Sequence, residues 1–261
     1  MKGIDCATPL TSDAAKKIAA EGMKFVCRYL VPERLAWKRL TRAEAEAITA
    51  AGLLIISVFE TTASRPAGGA AAGEVDGREA MAEAKAIKQP PGSAIYFAVD
   101  YDAQAKDYNA IEAYLRAAAK QIEGYKVGVY GSYAVIEEMA RRGVAECFWQ
   151  TYAWSAGEKS GKDDLHQYKN GVAMAGITVD LNDSFGGEGF WDTNPKPEPQ
   201  PEKIEYIEAF NDVPKTHWAA AEIQECAKKG LLTGFTDGSF RPEEPVTRAQ
   251  LAIVLLRLNF N

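Results

Sequence analysis

Five times in the first 143 residues, an apolar stretch of strand length is followed by a stretch with helical spacing. The apolar stretches are GID (3–5), KFVCRYL (24–30), LLIISVFE (53–60), SAIYFAVDYD (93–102) and YKVGVYG (125–131). The helical stretches run from about 12 to 21, 41 to 52, 73 to 88, 106 to 123 and 133 to 143. Continuous apolar runs suit parallel strands covered on both faces. Strand alternating with helix predicts a parallel sheet with right-handed crossovers. Then the rhythm changes. CFWQTYAW (147–154), LHQY (165–168) and GITVDLND (176–183) read as three strands with no helix between them. Eight strands of which the first five carry helices predict an α/β fold, a TIM-barrel-like (β/α)5β3 barrel. The alternative is an open doubly wound sheet. No G-x-G-x-x-G or P-loop follows any strand, which weakens its nucleotide-binding form.

A second unit follows. Residues 193–203, TNPKPEPQPEK, alternate proline with charge and read as a stiff solvated spacer. The expected division is a barrel over 1–192, the spacer over 193–203 and a small all-α module over 204–261. In the module, Thr247 and Gln250 form a capping box ahead of an apolar stripe at Leu251, Val254, Leu255 and Leu258. A second capping box is expected at Thr41 and Glu44.

Composition narrows the chemistry. The net charge is −6 and no basic stripe is visible, which argues against nucleic acid as a partner. A neutral polymer such as a glycan stays open. No run is long and apolar enough to predict a membrane span. MKGIDCATPL has no apolar signal region, so a route other than a classical signal peptide is expected. Four scattered cysteines and two histidines predict neither a disulfide scaffold, a metal site nor a cofactor.

The site reading comes from the barrel rule that active sites lie at the C-terminal ends of the strands. That places Asp5, Glu60, Asp100, Asp102 and Asp180 around one mouth, as candidate catalytic carboxylates. Arg28, Tyr130, Gln150 or Tyr152, Gln167 or Tyr168, and Asn182 would join them as substrate-binding groups. Like charges gathered in one cleft raise at least one pKa, which keeps a carboxyl group protonated for use as a general acid. Asp183 reads as a turn residue. Trp149, Trp154, Tyr168 and Trp191 read as sugar-stacking or core aromatics.

GID, YFAVDYD and VDLN resemble motifs of the family-25 glycoside hydrolases, the lysozyme-type muramidases. GIDCATPLTSDAAKKIAAEGMKFVCRYL and VGVYGSY are closer to a related glycoside-hydrolase-like group typified by a mycobacterial secreted protein. The resemblance implies that Asp5, Asp100 and Asp180 are active-site acids and that peptidoglycan is the substrate. It also implies a glutamate two residues after Asp100 as general acid, where this chain has Asp102. Either Asp102 or Glu60 then takes that role, or the site binds glycan without cleaving it. FNDV, HWA, GLLTGFTDGSFRP and TRAQ resemble an S-layer homology (SLH) repeat. That resemblance implies a secondary cell-wall polysaccharide as ligand, Trp218 and Arg248 as glycan-binding residues, and a homotrimer that completes the repeat's usual threefold unit. A wall-bound lysin of phage or prophage type is the expected whole, with a non-catalytic wall or spore protein as its rival.

Overall fold

The computed structural model describes residues 1–194 and 210–258. The chain divides into two compact units after Asn194. In the first, β1 (Lys2–Asp5), β2 (Phe25–Tyr29), β3 (Leu54–Phe59), β4 (Ala94–Ala98), β5 (Lys126–Gly131), β6 (Cys147–Thr151), β7 (Leu165–Met174) and β8 (Ile177–Ser184) close into a barrel in chain order. The first five strands are followed by α1 (Ser12–Ala20), α2 (Arg42–Ala50), α3 (Gly69–Ala86), α4 (Tyr108–Ala119) and α5 (Tyr133–Arg142). Strands β1 to β7 run parallel. The eighth does not: β8 is antiparallel to both β7 and β1. Only Ala175 (φ 52°) and Gly176 (φ 84°) separate β7 from β8. Two residues suffice for a hairpin turn but not for a parallel crossover. The sheet is therefore mixed, not wholly parallel. Asp183 lies within β8, its carboxylate 2.6 Å from Lys2 Nζ, and is not a turn residue.

Side-chain parity builds two layers. Phe25 and Cys27 of β2, Ile56 and Val58 of β3, and Tyr96 of β4 fill the barrel interior with Trp149 of β6. Their neighbours of opposite parity, such as Val26, Ile55 and Phe97, pack under the helices. Helix α3 approaches α4 through glycines. A Cβ on Gly73 would lie 2.1 Å from the carbonyl oxygen of Tyr114, so this contact admits no larger residue. The end opposite the mouth is closed by 188–191. Trp191 pairs with Ile55 through two backbone hydrogen bonds, and its indole donates to Ser57 Oγ at 3.0 Å.

Helix starts follow the sequence, with one exception. Thr11, Thr41 and Ser132 each accept from an N–H in the first turn of the next helix. Glu44 does not reach back to complete the box expected at Thr41. Its carboxylate accepts instead from Leu10 N–H at 2.8 Å and Arg28 Nε at 2.7 Å. A buried cation is a stronger partner than a backbone amide.

The second unit holds α6 (Ala220–Lys228) and α7 (Arg248–Leu258). Its core is small: Val213, Ala220 and Ile223, with Phe210 and Phe240 packed against them. Asp212 ties the loop by accepting from the N–H groups of Phe240 and Arg241, both at 2.7 Å. The capping box at the start of α7 is complete, with Thr247 N–H donating to Gln250 Oε1 and Gln250 N–H to Thr247 Oγ1. Leu251 and Leu255 of the expected stripe are exposed. Trp218 is 84% exposed, stacks on His217 and has no core role. Arg248 is exposed as well. The proline-rich spacer from 195 onward lies outside the described residues.

Candidate active site

The mouth of the barrel holds a polar cleft of about 140 Å³. The inward parity of each strand decides what enters it. Asp5 ends β1, Tyr29 ends β2, and Glu60 follows β3 by one residue. Asp100 lies two residues beyond β4, where its N–H donates to Ala63 O. Tyr130 of β5, Trp149 of β6, Gln167 and Asn170 of β7, and Asp180 of β8 complete the lining. Asp180 reaches the mouth for a reason that the strand-end rule misses. In the antiparallel β8 it sits mid-strand, directly across from Asp5.

Asp5 is the buried centre of the cluster. Its Oδ2 accepts from Gln167 Nε2 at 2.9 Å and Asn182 Nδ2 at 2.7 Å. Burial first, and the neighbouring charge of Asp180 second, push its carboxyl up to about 7, against the pull of the two amides. Asp180 is also raised by burial, while Gly171 N–H donates to its Oδ1 at 2.8 Å and favours its charged form. The amide of Gln167 is oriented from behind, since its Oε1 accepts from Tyr130 Oη and Thr151 Oγ1. Asn182 is fixed likewise by the Trp149 indole, which donates to Oδ1 at 2.8 Å.

The other side of the cleft carries a different pair. Lys38 Nζ lies 3.6 Å from Glu60 Oε2 and 4.3 Å from the centroid of the Tyr29 ring. Burial lowers the Lys38 pKa, and Glu60 opposes that shift. Asp100 beside them is raised, first by burial and then by the charge of Glu60. Asp5, Asp100 and Asp180 are therefore all biased toward the protonated form, and Glu60 is the cleft carboxylate that pairs with a cation.

Five expected residues are elsewhere. Asp102 is exposed and bonded to the Gln104 amide at 2.9 Å, because β4 ends at Ala98 and the chain turns after Asp100. Arg28 has outward parity and is fully buried beneath α2, where it pairs with Glu44 and donates to the carbonyls of Cys6 and Lys38. Gln150 also faces out. It ties down the loop after β6 by donating to Glu158 O and accepting from Ser160 N–H. Tyr152 is exposed beyond the end of β6 and Tyr168 of β7 lies under Lys2; neither lines the cleft. Trp191 is a core residue at the opposite end, whereas Trp149 does line the cleft. Tyr29 and Asn170 line the cleft and Lys38 meets Glu60 there, although none of the three was among the expected residues. Tyr29 had a signal in Phe25 and Cys27, which share its parity; the turn that brings in Lys38 had none.

The model of the Rv2525c-like, glycoside hydrolase-like domain matches residues 16–184. This chain belongs to that family. An S-layer homology domain matches 209–252. Among solved structures, the Rv2525c-like barrel is similar to the Tat-secreted protein Rv2525c of Mycobacterium tuberculosis, solved in complex with L-tartrate. The two are 26% identical with a TM-score of 0.66, over 73% of this chain and 98% of the other. A glycosyl hydrolase 25 of Streptococcus pneumoniae shares the fold, at 14% identity and a TM-score of 0.50, over 70% of this chain and 86% of the other. The SLH region is 47% identical over 49 residues to the outer membrane protein SlpA of Thermus thermophilus. That match covers 19% of this chain but only 5% of SlpA.

Proposed function

We propose that this Rv2525c-like barrel is a glycoside hydrolase of the cell wall, cutting a glycosidic bond of the peptidoglycan glycan strand. The observation that carries the reading is Asp100: a partly buried carboxyl, raised toward its protonated form, facing a cleft lined by Asp5, Glu60 and Asp180. A carboxyl biased toward its protonated form can give its proton to a leaving sugar oxygen. Asp180, which lines the same cleft, is its partner carboxylate, with Gly171 N–H favouring its charged form. A carboxylate there can stabilise positive charge at the reacting carbon, directly or through the sugar's own acetamido group. Glu60, with Lys38 beside it, acts by holding the pKa of Asp100 up. The SLH repeat holds the chain to a secondary wall polysaccharide, with the exposed Trp218 and Arg248 as contacts. A lysin or a wall-remodelling enzyme is the matching role. Three chains associate through the repeat, a reading supported by the exposed Leu251 and Leu255 of α7. A monomer mass by gel filtration at micromolar concentration would remove that last part.

One observation favours a second reading. With Asp102 outside the cleft, the D-x-E acid of the muramidases has no counterpart there, which suits a site that binds glycan without cutting it. Incubation with purified Gram-positive walls separates the two. Hydrolysis releases reducing ends and clears turbidity; binding alone leaves the chain on the sedimented wall with no new reducing ends, and would end the enzymatic reading.

A further inference from the structure

Two tryptophans stand exposed beside the mouth, on loops that are firmly held. Trp37 is 64% exposed, on the connection that follows β2. Arg28 Nη2 donates to the carbonyl of the next residue, Lys38, at 3.2 Å. Leu40 N–H donates to Tyr29 O at 2.8 Å, and Arg34 and Arg39 tie the same connection to Glu79 and Glu83 of α3. The Lys38 ammonium that meets Glu60 in the cleft lies 5.5 Å from the Trp37 ring centroid. Trp37 therefore continues the cleft wall outward through Lys38.

Trp154 is 44% exposed, three residues beyond β6. Its φ of 53° lies in the left-handed region, which a bulky side chain rarely adopts and which costs backbone energy. The next residue fixes it: Ser155 Oγ donates to Thr151 O at 2.6 Å and accepts from Tyr133 N–H at 2.9 Å. Thr151 Oγ1 in turn donates to Gln167 in the cleft. The connections after β2 and β6 leave the same end of the barrel and lie four strands apart in a ring of eight. They therefore start from opposite sides of the mouth.

We infer that Trp37 and Trp154 are sugar-stacking platforms at the two ends of a glycan path that crosses the cleft. The inference rests on the reading that the cleft takes a glycan. A cleft of about 140 Å³ is small for a polymer, so most contact with a long chain must come from the rim. Rigid exposed rings supply it at low ordering cost, since the connections that hold them are already fixed. The path selects extended strands over short fragments.

The test uses the full chain with Trp37→Ala, Trp154→Ala and the conservative Trp37→Phe. The probes are peptide-free glycan strands and the N-acetylglucosamine hexasaccharide and disaccharide. Each alanine variant should raise KM or Kd for the long probes roughly tenfold, at unchanged kcat and with the disaccharide unaffected. Trp37→Phe should recover most of the loss. Wild-type cleavage or binding with no change in either alanine variant would overturn the inference and leave the cleft reading standing. Wild-type protein that neither binds nor cleaves any of the probes would overturn both.

Discussion

Asp100→Asn should reduce release of reducing ends from wall glycan by about 10²–10⁴-fold, the usual contribution of a positioned acid, while Asp102→Asn stays within about twofold of wild type. The contrast is sharp because the two aspartates are two residues apart. Asp100 lines the cleft; Asp102 is on the surface, held by Gln104. The pH profile carries a second signature. Asp100 is raised by burial and by the charge of Glu60, so the active, protonated form persists to higher pH than for a free aspartate. The rate should fall as pH rises through that raised pKa. In Glu60→Gln one cause of the shift is gone, so the falling limb should move to lower pH. A Glu60 that were itself the acid would instead abolish the limb along with the rate. Loss of activity in Asp102→Asn with Asp100→Asn unaffected would invert the assignment.

The barrel was legible because its signal repeats: five strand–helix units, each bounded by turn residues. Which face a strand shows inward was not. In strands covered on both sides, alternation disappears and parity cannot be read from hydrophobicity. Arg28 and Gln150 are the result. Both sit at the right height on the barrel with the wrong parity, one paired with Glu44 and the other bonded to the loop after β6. Arg28 and the missing half of the Thr41 capping box are a single misreading, since Glu44 left the box to meet that arginine. Asp102 failed for a different reason. YFAVDYD looks like one strand, yet pairing stops at Ala98, and the same-side rule for residues two apart holds only within a strand. Asp180 was found by a rule that does not govern it. Its place follows from an antiparallel pairing with Asp5 that the Ala-Gly turn dictates.

The pair formed by Asp5 and Asp180 should make stability fall as pH rises, the reverse of ordinary acid denaturation. Burial and the charge of Asp180 push the Asp5 carboxyl up to about 7 in the folded chain, against 3.8 for a free aspartate. Below pH ~4 both folded and unfolded states carry the proton and this group has no effect. Between ~4 and ~7 the unfolded chain has lost it while the folded chain keeps it. Stability therefore declines by about 1.4 kcal/mol per pH unit, to a total on the order of 4 kcal/mol above pH ~7. Asp5→Asn removes the penalty. An asparagine oxygen can still accept from Gln167 and Asn182, and its amide can donate toward Asp180. Urea unfolding of wild type and variant at a series of pH values should show the variant's advantage growing from pH 4 to 8. Because the two carboxyls interact, the proton belongs to the pair, and Asp180→Asn should flatten part of the same slope. A wild-type curve parallel to that of Asp5→Asn would mean that the pair holds no proton near neutrality. The opposite result would identify the stability that the chain gives up to keep a protonated carboxyl inside its cleft, the trade expected of a site shaped for chemistry rather than for packing.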